Sequence, residues 1–233
     1  AINAATTGTP VLNAATNAAN FSDTAANLTA GFLGTTSHTG TLTVTGAAAT
    51  VAQANLLDAI TQGVVTATIE GDSAADLATL TGTTGVYTVV QNGTVVATIA
   101  ELIAINAATT GGITINSNTI ANNYSDTAAN LVAAFTGITT HTGTMTISGT
   151  TAATEAELLV INAATAGAIT LNAQTIAANY SESAANLVLM FDGTITEHTG
   201  VLTISGATAA TVAELIAINA ATTGTPVLNA ATN

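Results

Sequence analysis

The chain has 233 residues, of which 48% are apolar, 3% aromatic and 6% charged; thirteen Asp and Glu face no Lys or Arg, for a net charge of −13. That balance excludes nucleic-acid binding, which needs cations to displace condensed counterions, and attraction to an anionic membrane surface. With no cysteine there are no disulfides or thiolate metal sites, no apolar run approaches a membrane span, and the apolar content is too high for intrinsic disorder.

Residues 1–17, "AINAATTGTPVLNAATN", recur unchanged at 217–233, an offset of 216 residues. The sequence therefore reads as a window on a longer repetitive polymer, either one giant polypeptide or a run of near-identical modules. Within the first copy, "TPVLN" (9–13) reads as a poor strand. "NFSDTAANL" (20–28) follows and opens a helix with its apolar stripe ending at Phe32. His38 lies in the loop "TSHTG", and "TLTVTG" (41–46) alternates polar and apolar residues as a half-buried strand does.

At Thr50 a second kind of helix begins. A Thr followed three residues later by Gln or Glu forms a capping box, seen at Thr50–Gln53, Thr98–Glu101, Thr154–Glu157 and Thr211–Glu214. Apolar residues follow at helical spacing: Leu102, Ile103 and Ile105; Leu158, Leu159 and Ile161; Leu215, Ile216 and Ile218. The unit at 50–97 is the divergent one. It keeps only "GDSAADL" (71–77), with Asp72 as its acid, and Thr83 stands where the others have His. Its strand "VYTVV" (86–90) runs into Gln91-Asn92-Gly93 and then "TVVAT" (94–98). Asn-Gly between two β-rich runs predicts a hairpin, which is either a length adjustment or an exposed edge for lateral contact.

The regular units run over 98–153, 154–210, and 211–233 continuing as 1–49. Their strands are "GITIN" (112–116), "TMTISG" (144–149), "AITLN" (168–172) and "VLTISG" (201–206). Their second helices start at "NYSDTAANL" (123–131) and "NYSESAANL" (179–187). Ser125 or Asp126 is the expected N-cap, and Leu131, Val132 and Phe135 form the stripe that Phe32 and Phe191 share. Strand and helix alternate throughout. The expected fold is a single array over 1–233: a right-handed α/β solenoid of eight coils per period, one parallel sheet with Ala-rich helices on one face. A β-solenoid is the alternative.

His38, His141 and His198 recur in one loop, and a turn role is expected for them. Successive units place them about 10 Å apart at strand spacing, too far to share an ion. Most acids fall near predicted helix starts, where they answer the helix dipole. Asp23, Asp126 and Glu182 remain the candidates for bridging a divalent cation such as calcium; no other cofactor is expected. Phe21, Tyr124 and Tyr180 are expected to staple those starts. No phosphate-binding loop, HExxH or nucleophile elbow occurs, so an enzyme is not expected.

"SDTAANL", followed by an apolar stripe and a "TLTVTG"-type strand, resembles the Ala/Thr-rich tracts of giant bacterial surface and secreted proteins, adhesin-like chains associated with RTX or type I secretion. The likeness spans nearly the whole chain, although the calcium-binding nonapeptides of that group are missing. It implies an extracellular bacterial location and a structural or adhesive role. Three functions follow as expectations: a structural fibre whose partner is itself, the stalk of an adhesin, or a secreted polysaccharide-binding repeat protein.

Overall fold

A computed structural model of the chain describes residues 10–71, 73–82 and 85–232. The chain divides into two compact units, residues 1–119 and 120–233. The expectations at Asp72 and Thr83 lie outside the described residues.

In the first unit the order is α1 (Ala14–Ala18), β1 (Phe21–Asp23), α2 (Ala25–Gly31), β2 (Leu42–Val44), α3 (Val51–Ile60), β3 (Val65–Gly71), α4 (Ala74–Leu77), β4 (Val86–Gln91), α5 (Ile99–Ala108) and β5 (Ile113–Thr114). The short α6 (Ser117–Ala121) leads to the second unit. All neighbouring strands pair in parallel, in chain order β1-β2-β3-β4-β5. Parallel strands require a crossover, and a helix lies in each one. β3 shows the driving pattern: Val65, Ala67, Ile69 and Gly71 turn inward while Thr66, Thr68 and Glu70 face solvent.

The second unit holds β6 (Tyr124–Asp126), α7 (Ala128–Phe135), β7 (Met145–Ile147), α8 (Glu155–Ala164), β8 (Ile169–Thr170), α9 (Ala173–Ala177), β9 (Tyr180–Glu182), α10 (Ala184–Phe191), β10 (Leu202–Ile204) and α11 (Val212–Ala221). The fold is thus α/β with parallel sheets. The single sheet expected from the sequence is corrected, because this unit alone contains two, β6-β7-β8 and β9-β10. Only the five-residue α9 separates β8 from β9, too little chain for β9 to return beside β8. Thr194 takes that place against Ile169, and Tyr180 starts a second stack under Leu202. The strand expected at 9–13 is also absent over residues 10–13.

All four capping boxes form. In α8 the Glu157 amide donates to the Thr154 hydroxyl at 3.3 Å, and the Glu157 carboxylate accepts from the Thr154 amide at 2.7 Å. Thr154→Ala is expected to cost about 1 kcal/mol, read as a lower midpoint in urea. Glu157→Gln should be near neutral, since Gln53 fills the same role in α3. The other helix starts are corrected by one element. "FSD", "YSD" and "YSE" are strands, and the caps are Thr24, Thr127 and Ser183.

The hairpin at Gln91-Asn92-Gly93 does not form. β4 pairs in parallel with β3 and β5, and no strand follows over 94–98. The Gln91 side chain is buried and anchors the loop from inside. Its amide donates to the Val95 carbonyl at 2.8 Å, and its carbonyl accepts from the Asn116 amide and the Thr119 hydroxyl. Asn92 reaches the Glu70 carboxylate at 3.1 Å. These bonds, within the loop and to the coils before and after it, override the local turn preference.

Candidate functional site

The three histidines stand in the loops expected of them and are fully buried there, at 0% exposure. Each closes a cluster with the two aromatics of its own coil. Tyr124, Phe135 and His141 stand with ring centroids 5.1–5.5 Å apart; Phe21, Phe32 and His38 span 4.8–5.6 Å, and Tyr180, Phe191 and His198 span 4.8–5.9 Å. The expected staple residues therefore pack on an imidazole as well as on the helix stripe.

Hydrogen bonds link two of the imidazoles, His141 and His198, from one coil to the next. His141 Nε2 lies 2.8 Å from the Asn122 carbonyl, and Nδ1 lies 2.8 Å from the Thr165 hydroxyl. A carbonyl only accepts, so Nε2 carries the proton, and the single Thr165 hydroxyl proton is shared between two acceptors, Nδ1 and the Gly143 carbonyl. His198 repeats this with Ala178 at 2.8 Å and Thr222 at 3.4 Å. At His38 the Asn17 backbone stands on the corresponding side, but neither ring nitrogen reaches hydrogen-bond geometry with a described residue. Burial pushes all three imidazoles below the ordinary histidine value, partly opposed by the backbone carbonyl side. They are neutral at pH 7.

The threonines opposite form the second half of this ladder. The Thr61, Thr165 and Thr222 hydroxyls accept the amides of Gly63, Gly167 and Gly224, each at 2.9 Å. They reach back to the Gly40, Gly143 and Gly200 carbonyls at 2.6–3.1 Å. Glycine is required because the backbones touch: a Cβ at Gly143 would overlap the Asn122 carbonyl, and one at Gly167 would overlap the Gly143 carbonyl. Between the divergent unit and the next, Tyr87, Thr109 and Gly111 make the corresponding contact. The Thr109 hydroxyl bonds both the amide and the carbonyl of Tyr87 at 2.8 Å. The Tyr87 phenol is pushed up to about 12 by burial and by the nearby Asp58 carboxylate.

A third set of bonds uses asparagine. Asn172 accepts from the Thr175 amide and donates to the Ser148, Gly149 and Thr151 carbonyls one coil earlier. Asn116 and Asn229 repeat it.

Asp23, Asp126 and Glu182 sit one residue before their caps, at strand ends. The Asp126 carboxylate accepts from the Thr127 amide at 2.7 Å and the Asn130 side chain at 2.8 Å. Asp23 does the same with Thr24 and Asn27, and Glu182 with Ser183 and Asn186. The bond from Asn27, then that from Thr24, holds the Asp23 carboxyl below its usual value. The motif D-T-A-A-N is thus an acid–amide clasp over the helix start. Among the described residues no group of three His, Cys, Asp or Glu is placed to hold a metal ion.

Sequence reasoning missed the Thr–Gly half of the ladder. Its signal was present: every H-T-G (38–40, 141–143, 198–200) is followed by T-x-G (61–63, 165–167, 222–224). No protein family matches the chain, and no curated protein or solved structure is similar to it.

Proposed function

We propose that the chain is a structural segment of an extracellular bacterial fibre, its coils stacked as a right-handed α/β solenoid of eight coils per 216-residue period. One observation carries this reading: polar side chains that recur at equivalent positions, His141 and His198 among them, are committed to coil-to-coil bonds. Imidazole, threonine hydroxyl and asparagine amide each join one coil to the next, and the clasping carboxylates hold helix starts. Such a design adds coils by repetition, since each contacts only its neighbours. The resemblance to giant surface-protein tracts supports the location, and self-continuation is the partner it implies.

The test is a series of chains carrying one, two and three periods, measured by small-angle scattering. The longest dimension should grow by equal steps, at least about 38 Å per period if eight coils stack at strand spacing. A dimension that stops growing after the first period would overturn the fibre reading. A glycan-binding panel on the same chains separates the adhesin and polysaccharide-binding alternatives, since a plain shaft binds none.

A further inference from the structure

The Asn92-Gly93 step turns no hairpin, yet it has a chemistry of its own. It is the single Asn-Gly pair in the chain, and it lies in irregular backbone between β4 and α5. The corresponding step before the caps Thr154 and Thr211 is Ser148-Gly149 and Ser205-Gly206. Those two glycines are left-handed, at φ +86° and +83°, whereas Gly93 is not. Asn92 is exposed, and its side chain is held by one bond, to the Glu70 carboxylate at 3.1 Å. Its backbone amide is pinned, donating to the Gly71 carbonyl at 2.9 Å. The next amide, that of Gly93, donates to no group among the described residues. An unengaged amide with no β-carbon beside it thus directly follows a carboxamide open to water.

We propose that Asn92 is a self-modification site, deamidated by attack of the Gly93 amide, and that the product turns its link to Glu70 into a pair of like charges. The Gly93 nitrogen gives its proton to water and bonds to Asn92 Cγ. The Cγ–Nδ2 bond breaks and ammonia leaves, closing a five-membered succinimide. Water then opens the ring at Cγ, giving aspartate, or at the backbone carbonyl, giving isoaspartate with one more carbon in the main chain. One water is consumed and one ammonia released, and nothing is oxidised or reduced.

The surroundings of Asn92 set the consequence. The carboxamide that donates to Glu70 becomes a carboxylate that cannot donate, in a hollow that Asp76 also lines. Like charges that close repel, and the chain has no Lys or Arg to relieve them. The isoaspartate form also lengthens the main chain just before the Gly93 carbonyl, which accepts from the Asn116 side chain at 2.6 Å. Deamidation therefore loosens one coil boundary, in the divergent unit, and leaves the histidine and threonine bonds of the regular units in place. The inference stands apart from the fibre reading, since it uses this loop alone.

The test ages the full native chain in mildly alkaline buffer and then cuts it after Glu70 and Glu101. The peptide between those cuts should gain about 1 Da and one negative charge ahead of every other peptide, with isoaspartate as well as aspartate at position 92. Gly93→Ala should slow the gain by at least about tenfold, because a β-carbon crowds the attacking nitrogen. Asn92→Asp, which fixes one product in place, should lower the midpoint in urea, and it should lower it less when Glu70→Gln is also present. A peptide that ages no faster than the others, or a Gly93→Ala chain that ages at the native rate, would overturn the proposed site. Aspartate without isoaspartate would mean that water attacks Asn92 directly, and the role of Gly93 would fall. An equal midpoint loss with and without Glu70→Gln would overturn the like-charge consequence.

Discussion

Gly143→Ala is expected to be among the most damaging single-methyl changes in the chain. The added Cβ would overlap the Asn122 carbonyl oxygen, a backbone atom that has no rotamer to escape into. Relief requires the two coils to separate. Separation strains the bonds made there: His141 to Asn122, Thr165 to Gly143, and the amides of Thr142 and Gly143 to the Ile120 carbonyl. Overpacking alone costs about 1–3 kcal/mol, and the strained buried polar groups add to it. Gly112→Ala and Gly31→Ala are the controls. Neither Cβ meets anything within 4 Å, and neither glycine has a left-handed backbone. Both are expected to be neutral or to stabilise by up to about 1 kcal/mol, because alanine lowers the entropy of the unfolded chain. Denaturation midpoints of the three variants decide it. Equal midpoints for Gly143→Ala and Gly112→Ala would mean the coils can part freely, and the close-approach account would be wrong.

Acidification should destabilise the fold well before the carboxylates titrate. Burial holds each folded-state imidazole below the unfolded histidine value of 6.5. Between those two values the unfolded chain binds more protons, so stability rises with pH there. The contribution is intact above about pH 6.5 and is lost as the pH falls through the folded-state values. Asp23 and Glu214, which backbone and side-chain bonds hold low, lose their contribution only below the ordinary carboxylate range. Asp58, raised by burial, acts in the opposite sense. A drop that sets in as the pH falls below 6.5 therefore reports the histidines. His141→Ala should cost about 3–5 kcal/mol, because it opens a cavity between Tyr124 and Phe135 and strips the Asn122 carbonyl and Thr165 hydroxyl of a buried partner. His141→Phe restores the ring volume, so it should cost less and should flatten the acid slope. An unchanged slope in that variant would remove His141 from the explanation.

Local chemistry was legible in the sequence, and register was not. The Thr-x-x-Glu boxes and the Thr–apolar alternation of β2, β7 and β10 depend on residues within one turn or one strand, so pattern alone found them. The S-D step of "YSDTAAN" carried two cap signals, Ser125 and Asp126, yet the cap is Thr127. Pairing of Tyr124–Asp126 with Met145–Ile147 holds those residues extended and pushes the helix start one place on. The Asn-Gly hairpin failed for a related reason, since the bonds that hold Gln91 come from positions 95, 116 and 119. The histidines were noticed as a recurring loop. Their burial follows from a threonine 24 residues downstream in sequence, His141 to Thr165, a separation at which no helix or strand periodicity operates.

The ladder has a mechanical consequence. Within a unit its bonds join residues 19 to 24 positions apart, so tension along the stacking direction loads one coil boundary before the next. The boundary that yields frees a length of chain set by that spacing. At about 3.3–3.6 Å per extended residue, each yielding coil lengthens the chain by roughly 60–85 Å while its neighbours keep their own bonds. A filament made this way would absorb a tug in steps and take up the slack again coil by coil.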